Sequence, residues 1–161
     1  MQPKVSIITI TYNAGAFLER TVKSILAQTY PAVEYLVVDG KSTDNTLALI
    51  KKYEKHIDQW VSEPDEGLYD AMNKGLRMAT GAYVWFMNAG DEIYAPDTLE
   101  KTIRQAPQAD VFFGETLITD ENGNEIGLRR LRPGKNFRWK SLRNGMLVSH
   151  QSFIVRRALA P

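Results

Sequence analysis

Between Val5 and Gln105 the chain alternates four times between a short apolar run and a stretch whose apolar residues recur at helical spacing. This alternation narrows the possible folds more than any other feature. Val5 to Tyr12 (Val-Ser-Ile-Ile-Thr-Ile-Thr-Tyr) is largely β-branched and apolar at most positions, as a strand covered on both faces should be. Asn13-Ala14-Gly15 breaks it. Phe17, Leu18, Val22, Ile25 and Leu26 then predict an amphipathic helix over Ala16 to Gln28, stopped by Tyr30-Pro31. Val33 to Val38 reads as a second buried strand ending on Asp39-Gly40, and Ser42-Thr43-Asp44-Asn45 offer N-caps for a helix through Leu47, Leu49, Ile50 and Tyr53. A third strand over Gln59 to Ser62 leads to a helix from Leu68 to Ala79, which Gly81 is placed to cap. Tyr83 to Met87 is the fourth strand, and Asp97 opens a helix over Thr98 to Gln105. Such rounds, joined by short connections, predict an α/β fold: a Rossmann-like, mostly parallel central sheet flanked by helices on both faces.

From Asp110 the pattern changes. Val111 to Thr119 reads as extended, Glu121-Asn122-Gly123-Asn124 as a hairpin turn, and Glu125 to Leu131 as the returning strand. Arg129, Arg130, Arg132, Lys135, Arg138, Lys140 and Arg143 then crowd together, as a solvated face or a site for an anionic ligand or surface. Met146 to Val155 reads as a strand carrying His150-Gln151. The length of 161 residues fits one domain. A net charge of +1 gives no argument for nucleic acid as a partner, and the absence of cysteine excludes disulfides and thiolate chemistry. No signal peptide or membrane-length apolar run is visible, so a cytoplasmic location, extending to the inner face of the membrane, is the expectation.

Function is to be sought at the strand ends, because ligands of open α/β sheets bind beyond the carboxyl ends of the strands. After the fourth strand come Asn88 and Asp91, separated by Ala89-Gly90. This turn can aim two oxygen-bearing side chains at one point, where a carboxylate suits Mg²⁺ or Mn²⁺ and the ion in turn binds a diphosphate. The competing reading is a turn whose Asn and Asp bond their own backbone. A dinucleotide-binding unit would need a glycine-rich turn after the first strand, but Thr11-Tyr12-Asn13-Ala14-Gly15 has a single glycine, and P-loop spacing is also absent. An NAD-dependent enzyme is therefore improbable. Asp39 is free to accept a hydrogen bond from a base or ribose, with Tyr12 and Asn13 at the adjacent strand end.

Val5 to Asn13, Val37-Val38-Asp39-Gly40-Lys41-Ser42-Thr43-Asp44, Ala71-Met72-Asn73-Lys74-Gly75 and the Asn88 to Asp91 turn together resemble family 2 glycosyltransferases, inverting enzymes of the A-type glycosyltransferase fold. The resemblance spans nearly the whole chain. It implies binding of a nucleotide-sugar, usually a UDP-sugar, and transfer of the sugar to a hydroxyl of a saccharide or lipid-linked saccharide with inversion. Thr11, Tyr12 and Asn13 match the family's first nucleoside-contacting motif, Asp39 its base-contacting aspartate, and Asp91 the last acid of its metal-binding turn. Asn88 and Gly90 stand where two further acids are usual, a variant resembling members that build bacterial surface polysaccharides. Asp65 and Gly67, in the loop Ser62 to Asp70, are expected to close over base and ribose, with Tyr69 either lining the pocket or in the core. Asn73 is expected to bond backbone inside the fold, and Gly75 to permit close helix packing. Trp60, Trp85 and Phe86 are assigned to the core.

Inverting transfer needs a base beside the acceptor hydroxyl. The family's base lies beyond the segment matching Val148-Ser149-His150-Gln151, so the chain is expected to be an N-terminal fragment lacking it. Glu115 and His150 are the two candidates present. A non-catalytic nucleotide-sugar-binding module is the alternative reading.

Overall fold

The computed structural model describes residues 2–120, 122–130, 140 and 147–160. Four parallel strands form its centre: β1 (Val5–Thr11), β2 (Val33–Asp39), β3 (Gln59–Ser62) and β4 (Tyr83–Phe86). Helices α1 (Leu18–Leu26), α2 (Thr46–Tyr53) and α3 (Leu68–Met78) connect them, and α4 (Thr98–Gln105) follows β4. The chain then adds β5 (Val111–Phe113), a separate two-stranded ribbon of β6 (Leu117–Thr119) and β7 (Glu125–Leu128), and β8 (Phe153–Arg156). Strand order in the main sheet is β3-β2-β1-β4-β8-β5, with β8 antiparallel to both of its neighbours.

Period-two alternation decides which side chains go to which face. Val5 and Ile7, Tyr35 and Val37, and Tyr83 and Trp85 point to one side, where Leu18, Val22 and Ile25 of α1, Ile50 of α2, and Leu99 and Ile103 of α4 cover them. Ile8 and Ile10, Leu36 and Val38, and Val84 point to the other, under α3. Each fully buried aliphatic side chain contributes about 1.5–3 kcal/mol. On the α3 side the helix lies so close that a Cβ on Gly75 would meet Ile8 Cγ2 at 2.5 Å, the close packing expected of that glycine.

Several boundaries differ from expectation. α3 ends on an extended Ala79, and Gly81 is buried where a Cβ would stand 2.7 Å from the Ser6 backbone nitrogen. Gly81 thus serves close approach to β1 rather than capping. Tyr12 lies past the end of β1 and is exposed. The Val111–Thr119 stretch is two strands, because after Phe113 the Gly114 amide turns to the Ser152 carbonyl (3.0 Å) and the chain leaves the main sheet. Residues His150–Ser152 form a 3-10 turn before β8, so His150 and Gln151 sit at a strand end rather than within a strand. Asn73 is exposed, so its expected place inside the fold is not found, and Tyr69 is 79% exposed, which removes it from the core. Trp85 is in the core, whereas Trp60 and Phe86 are half-buried at its margin. Of the basic run, Arg130 and Lys140 are exposed and Arg129 donates to the Leu147 carbonyl; Arg132, Lys135, Arg138 and Arg143 lie outside the described residues. No helix among the described residues is long and apolar enough to cross a membrane.

At the opposite, amino-terminal edge of the sheet, Glu34 is buried. It accepts hydrogen bonds from Ser6, from the amide and hydroxyl of Thr80, and from Lys4. Burial pushes its carboxyl up, but those bonds outweigh it and hold the group at about 2. It staples β1 and β2 to the turn before β4.

Candidate functional site

Because β2, β1 and β4 are adjacent and parallel, Asp39, Thr11 and the turn after Phe86 all emerge at one edge of the sheet. The two connections after β1 and β2 are knitted together there. Asn13 takes the left-handed conformation (φ 47°), which asparagine tolerates. Its amide donates to Ser42 Oγ (2.8 Å) and its Oδ1 accepts from the Thr43 amide (2.8 Å). The Ala14 and Gly15 amides, which would otherwise face a ligand ahead of α1, donate to Thr46 Oγ1 and Asp44 Oδ2 (both 3.0 Å). The Thr46 hydroxyl, then the Gly15 and Thr46 amides, hold the Asp44 carboxyl below its ordinary range. The first helix thus presents no free anion cradle, in keeping with the missing glycine-rich turn.

Asp39 is fully buried. Its Oδ2 accepts from the Ser42 amide (3.0 Å) and Ser62 Oγ (2.6 Å), and its Oδ1 from Ser42 Oγ. A base reaching this carboxylate would have to share it with both serines. Gly40, directly after it, is overhung by the other expected nucleoside contacts: a Cβ there would lie 2.5 Å from Asp65 Oδ2 and 3.3 Å from the Tyr12 ring. Asp65 Oδ1 also accepts from the amide of Gly67, whose φ of 113° favours glycine. Tyr12, Asn13, Asp39 and Asp65 are therefore brought together, and Tyr12 and Asn13 are exposed around Gly40.

The turn after β4 is differently made. Asp91 donates its amide to the Asn88 carbonyl (3.0 Å), and its Oδ1 has one long contact, from Gln151 Nε2 at 3.4 Å. Burial pushes the Asp91 carboxyl up, and Gln151, His150 and Arg20 offset this only in part. The Asn88 side-chain amide pairs with His150 Nε2 at 3.1 Å. Among the described residues the buried side-chain polar atoms lacking a hydrogen bond are Thr11 Oγ1, Arg20 Nε and Asn88 Oδ1. Thr11 and Asn88 lie at the carboxyl edge, and Arg20 on the helix packed against the Asp91 turn. Orphaned buried groups are rare enough in native proteins to need a reason, and a bound ligand is one.

Asp91 opens onto a cavity of about 1060 Å³ that it shares with Glu115, Arg20 and Gln151. Glu115 is exposed after Gly114, whereas His150 is turned to Asn88. The cavity does not extend to Tyr12, Asn13, Asp39 or Asp65. The Asp91 carboxylate and, three residues before it, the Asn88 amide oxygen with no protein partner are oxygen donors of the kind that Mg²⁺ and Mn²⁺ take. Among the described residues no three His, Cys, Asp or Glu side chains are grouped to hold a metal by themselves. The ligands of such an ion would have to be completed by phosphate oxygens. Sequence reading did not find Ser62, Thr46, Arg20, Thr21 or Gln151. Ser62 had a visible signal, as the polar end of a strand paired in register with Asp39.

Comparison with known proteins agrees with this architecture. Residues 6–160 match the family model described as glycosyl transferase family 2. The chain is 35% identical over 157 residues to an uncharacterized glycosyltransferase of Mycobacterium tuberculosis, covering 93% of this chain and 57% of that protein. It is 32% identical over 166 residues to a PGL/p-HBAD biosynthesis glycosyltransferase of Mycobacterium bovis, covering 98% and 60%. The chain thus spans about three-fifths of the length of these curated relatives. Among solved structures it resembles S. aureus TarS 1-349 in complex with UDP-GlcNAc, with a TM-score of 0.71 and 25% identity over 97% of this chain and 46% of that one. It also resembles the mannosyltransferase PcManGT from Pyrobaculum calidifontis in complex with GDP-Man and Mn²⁺, with a TM-score of 0.63 and 30% identity over 74% and 36%. A mostly parallel sheet, an acid-bearing turn after β4 and a family match over nearly every residue agree: the chain belongs to glycosyl transferase family 2.

Proposed function

We propose that this chain binds a UDP-sugar and supports transfer of the sugar, with inversion, to a hydroxyl of a saccharide or lipid-linked saccharide in surface polysaccharide or glycolipid synthesis. The observation that carries this reading is Asp91, held by one long side-chain contact on a large cavity, in the same turn as Asn88, whose Oδ1 has no partner. Tyr12, Asn13, Asp39, Asp65 and Gly67 form the nucleoside end. The related structures with UDP-GlcNAc and with GDP-Man and Mn²⁺ support a nucleotide-sugar donor.

Charge develops on the diphosphate as the glycosidic bond breaks, so stabilising it lowers the barrier. Asp91 and Asn88 would hold Mn²⁺ or Mg²⁺, which when bound supplies positive charge to that leaving group. Arg20 lines the same cavity with its guanidinium engaged by the Gly90 carbonyl and Glu92. The acceptor hydroxyl enters from the cavity side, which the exposed Glu115 lines; His150, bonded to Asn88, is the second candidate base. The single carboxylate of the turn favours a second reading, a nucleotide-sugar-binding module without catalysis.

Calorimetric titration of the full chain with UDP and UDP-sugars, with and without Mn²⁺, tests the donor assignment. Saturable binding that tightens with Mn²⁺ is expected. Failure of every nucleoside diphosphate to bind would overturn it, and binding without any donor turnover would leave the module.

A further inference from the structure

The turn carrying Asp91 has little support of its own, and helix α1 supplies what it lacks. Gly90 adopts a φ of 106°, a conformation that glycine reaches easily but does not keep without restraint. Both of its backbone groups are taken by α1. Its amide donates to Thr21 Oγ1 (2.9 Å), and its carbonyl accepts from Arg20 Nη2 (3.0 Å). Arg20 Nε also stands 3.5 Å from Glu92 Oε1, so the guanidinium touches the chain on both sides of Asp91.

The same helix face continues as a ladder along the loop. Ser24 Oγ accepts from the Ile93 amide (3.1 Å), and Gln28 both donates to the Ala95 carbonyl (2.9 Å) and accepts from the Leu99 amide (3.1 Å). Residues 20 and 24 are one turn apart on α1, and Gln28 follows just past its end. Thr21 is fully buried beside Val22 and Leu18. A hydroxyl in that setting is costly unless paired, and its pairing is with Gly90. The two rungs nearest Asp91 converge on the residue before it, while Ser24 and Gln28 hold the chain leading to α4 and the start of that helix.

We infer that Arg20 and Thr21 are positioning residues for the Asn88–Asp91 turn. They fix the backbone of Gly90, keep the Asp91 carboxylate and the free Asn88 oxygen in one arrangement, and so set how tightly a diphosphate-bound divalent cation is held. This rests on the metal–diphosphate reading of the turn proposed above. Groups that orient a metal ligand without touching the ion change its affinity by on the order of 10–100-fold.

The test compares Thr21→Val, Arg20→Met and the hydroxyl-retaining Thr21→Ser with Ser24→Ala, which removes a rung away from the turn. Titration of UDP with and without Mn²⁺ gives the Mn²⁺-dependent gain in affinity, uridine gives the nucleoside end alone, and amide hydrogen exchange reads Gly90 directly. Thr21→Val and Arg20→Met should cut the Mn²⁺ gain by on the order of tenfold and leave uridine binding unchanged. Thr21→Val should also speed Gly90 exchange. Thr21→Ser should stay close to wild type, and Ser24→Ala should keep the full Mn²⁺ gain. A wild-type gain that survives Thr21→Val and Arg20→Met, or that Ser24→Ala reduces equally, overturns the positioning role and leaves the donor reading standing. A wild-type protein that binds UDP with no Mn²⁺ gain overturns the metal reading and the positioning role together.

Discussion

The two ends of the candidate site are built in opposite ways although they sit on neighbouring strands. Beyond β1 and β2, Asp39, Asn13 and Asp44 are bound to Ser42, Ser62, Thr43 and Thr46. Beyond β4, Asp91 has one long side-chain contact, Asn88 Oδ1 has none, and the geometry is held from α1 through Gly90. Buried polar groups already paired within the protein rigidify it, whereas unpaired ones represent affinity held for something else. The contrast separates two aspartates at equivalent strand ends: Asp39 is bonded on both oxygens within the fold, whereas Asp91 is left with one long contact.

Substitution should separate them. Asp39→Ala removes three hydrogen bonds to one buried carboxylate, leaving the Ser42 amide and Ser62 hydroxyl without their partner. A loss of about 3 kcal/mol or more is expected, visible as a fall in Tm on the order of 10 °C. If Asp39→Ala melts like wild type, the contrast is broken. Asp91→Ala should abolish the Mn²⁺-dependent part of UDP binding, about 100-fold, while leaving Tm within about 1 °C, because the side chain is desolvated and barely bonded. A large drop in melting temperature would show Asp91 to be structural as well.

Gly75→Ala serves as a control far from both ends. The added Cβ collides with Ile8, so about 1–3 kcal/mol of stability should be lost without any change in Mn²⁺ dependence. Ser62→Ala sharpens the nucleoside end, since it removes one of the Asp39 bonds for about 1 kcal/mol and leaves Asp39 anchored by Ser42. Uridine binding that tightens in Ser62→Ala would show that the serine competes with the base.

The effect that bears least on the two ends lies at the far edge of the sheet. The Glu34 carboxyl is held at about 2 against an ordinary 4.5, so its stabilising share is complete above 4.5. That share is lost as pH falls through the interval toward about 2. Acid titration of wild type against Glu34→Gln should show this dependence only in wild type, with nucleoside and metal responses at neutral pH unaffected.

Much of the fold was legible because local pattern carries it. The alternation in Ile7-Ile8-Thr9-Ile10 and Tyr35-Leu36-Val37-Val38 already sorts side chains to two faces, and α4 begins and ends where Asp97 and the apolar spacing place it. The positions of Asn13, Asp39 and Asp91 at strand ends were legible for the same reason. The segment after Asp110 was less so: Val111–Thr119 splits because Gly114 pairs with Ser152, and His150 leaves the expected strand for a 3-10 turn. Those outcomes depend on partners dozens of residues away, which no local period records.

By itself, then, the sequence determined a layered α/β sheet and the set of polar residues at its carboxyl edge, since burial period and residue type are local properties of the chain. Only the tertiary structure decided their roles. Ser62 reaches Asp39 across 23 residues and Thr21 reaches Gly90 across 69, and those distant hydrogen bonds satisfy one aspartate's surroundings while leaving the other's open.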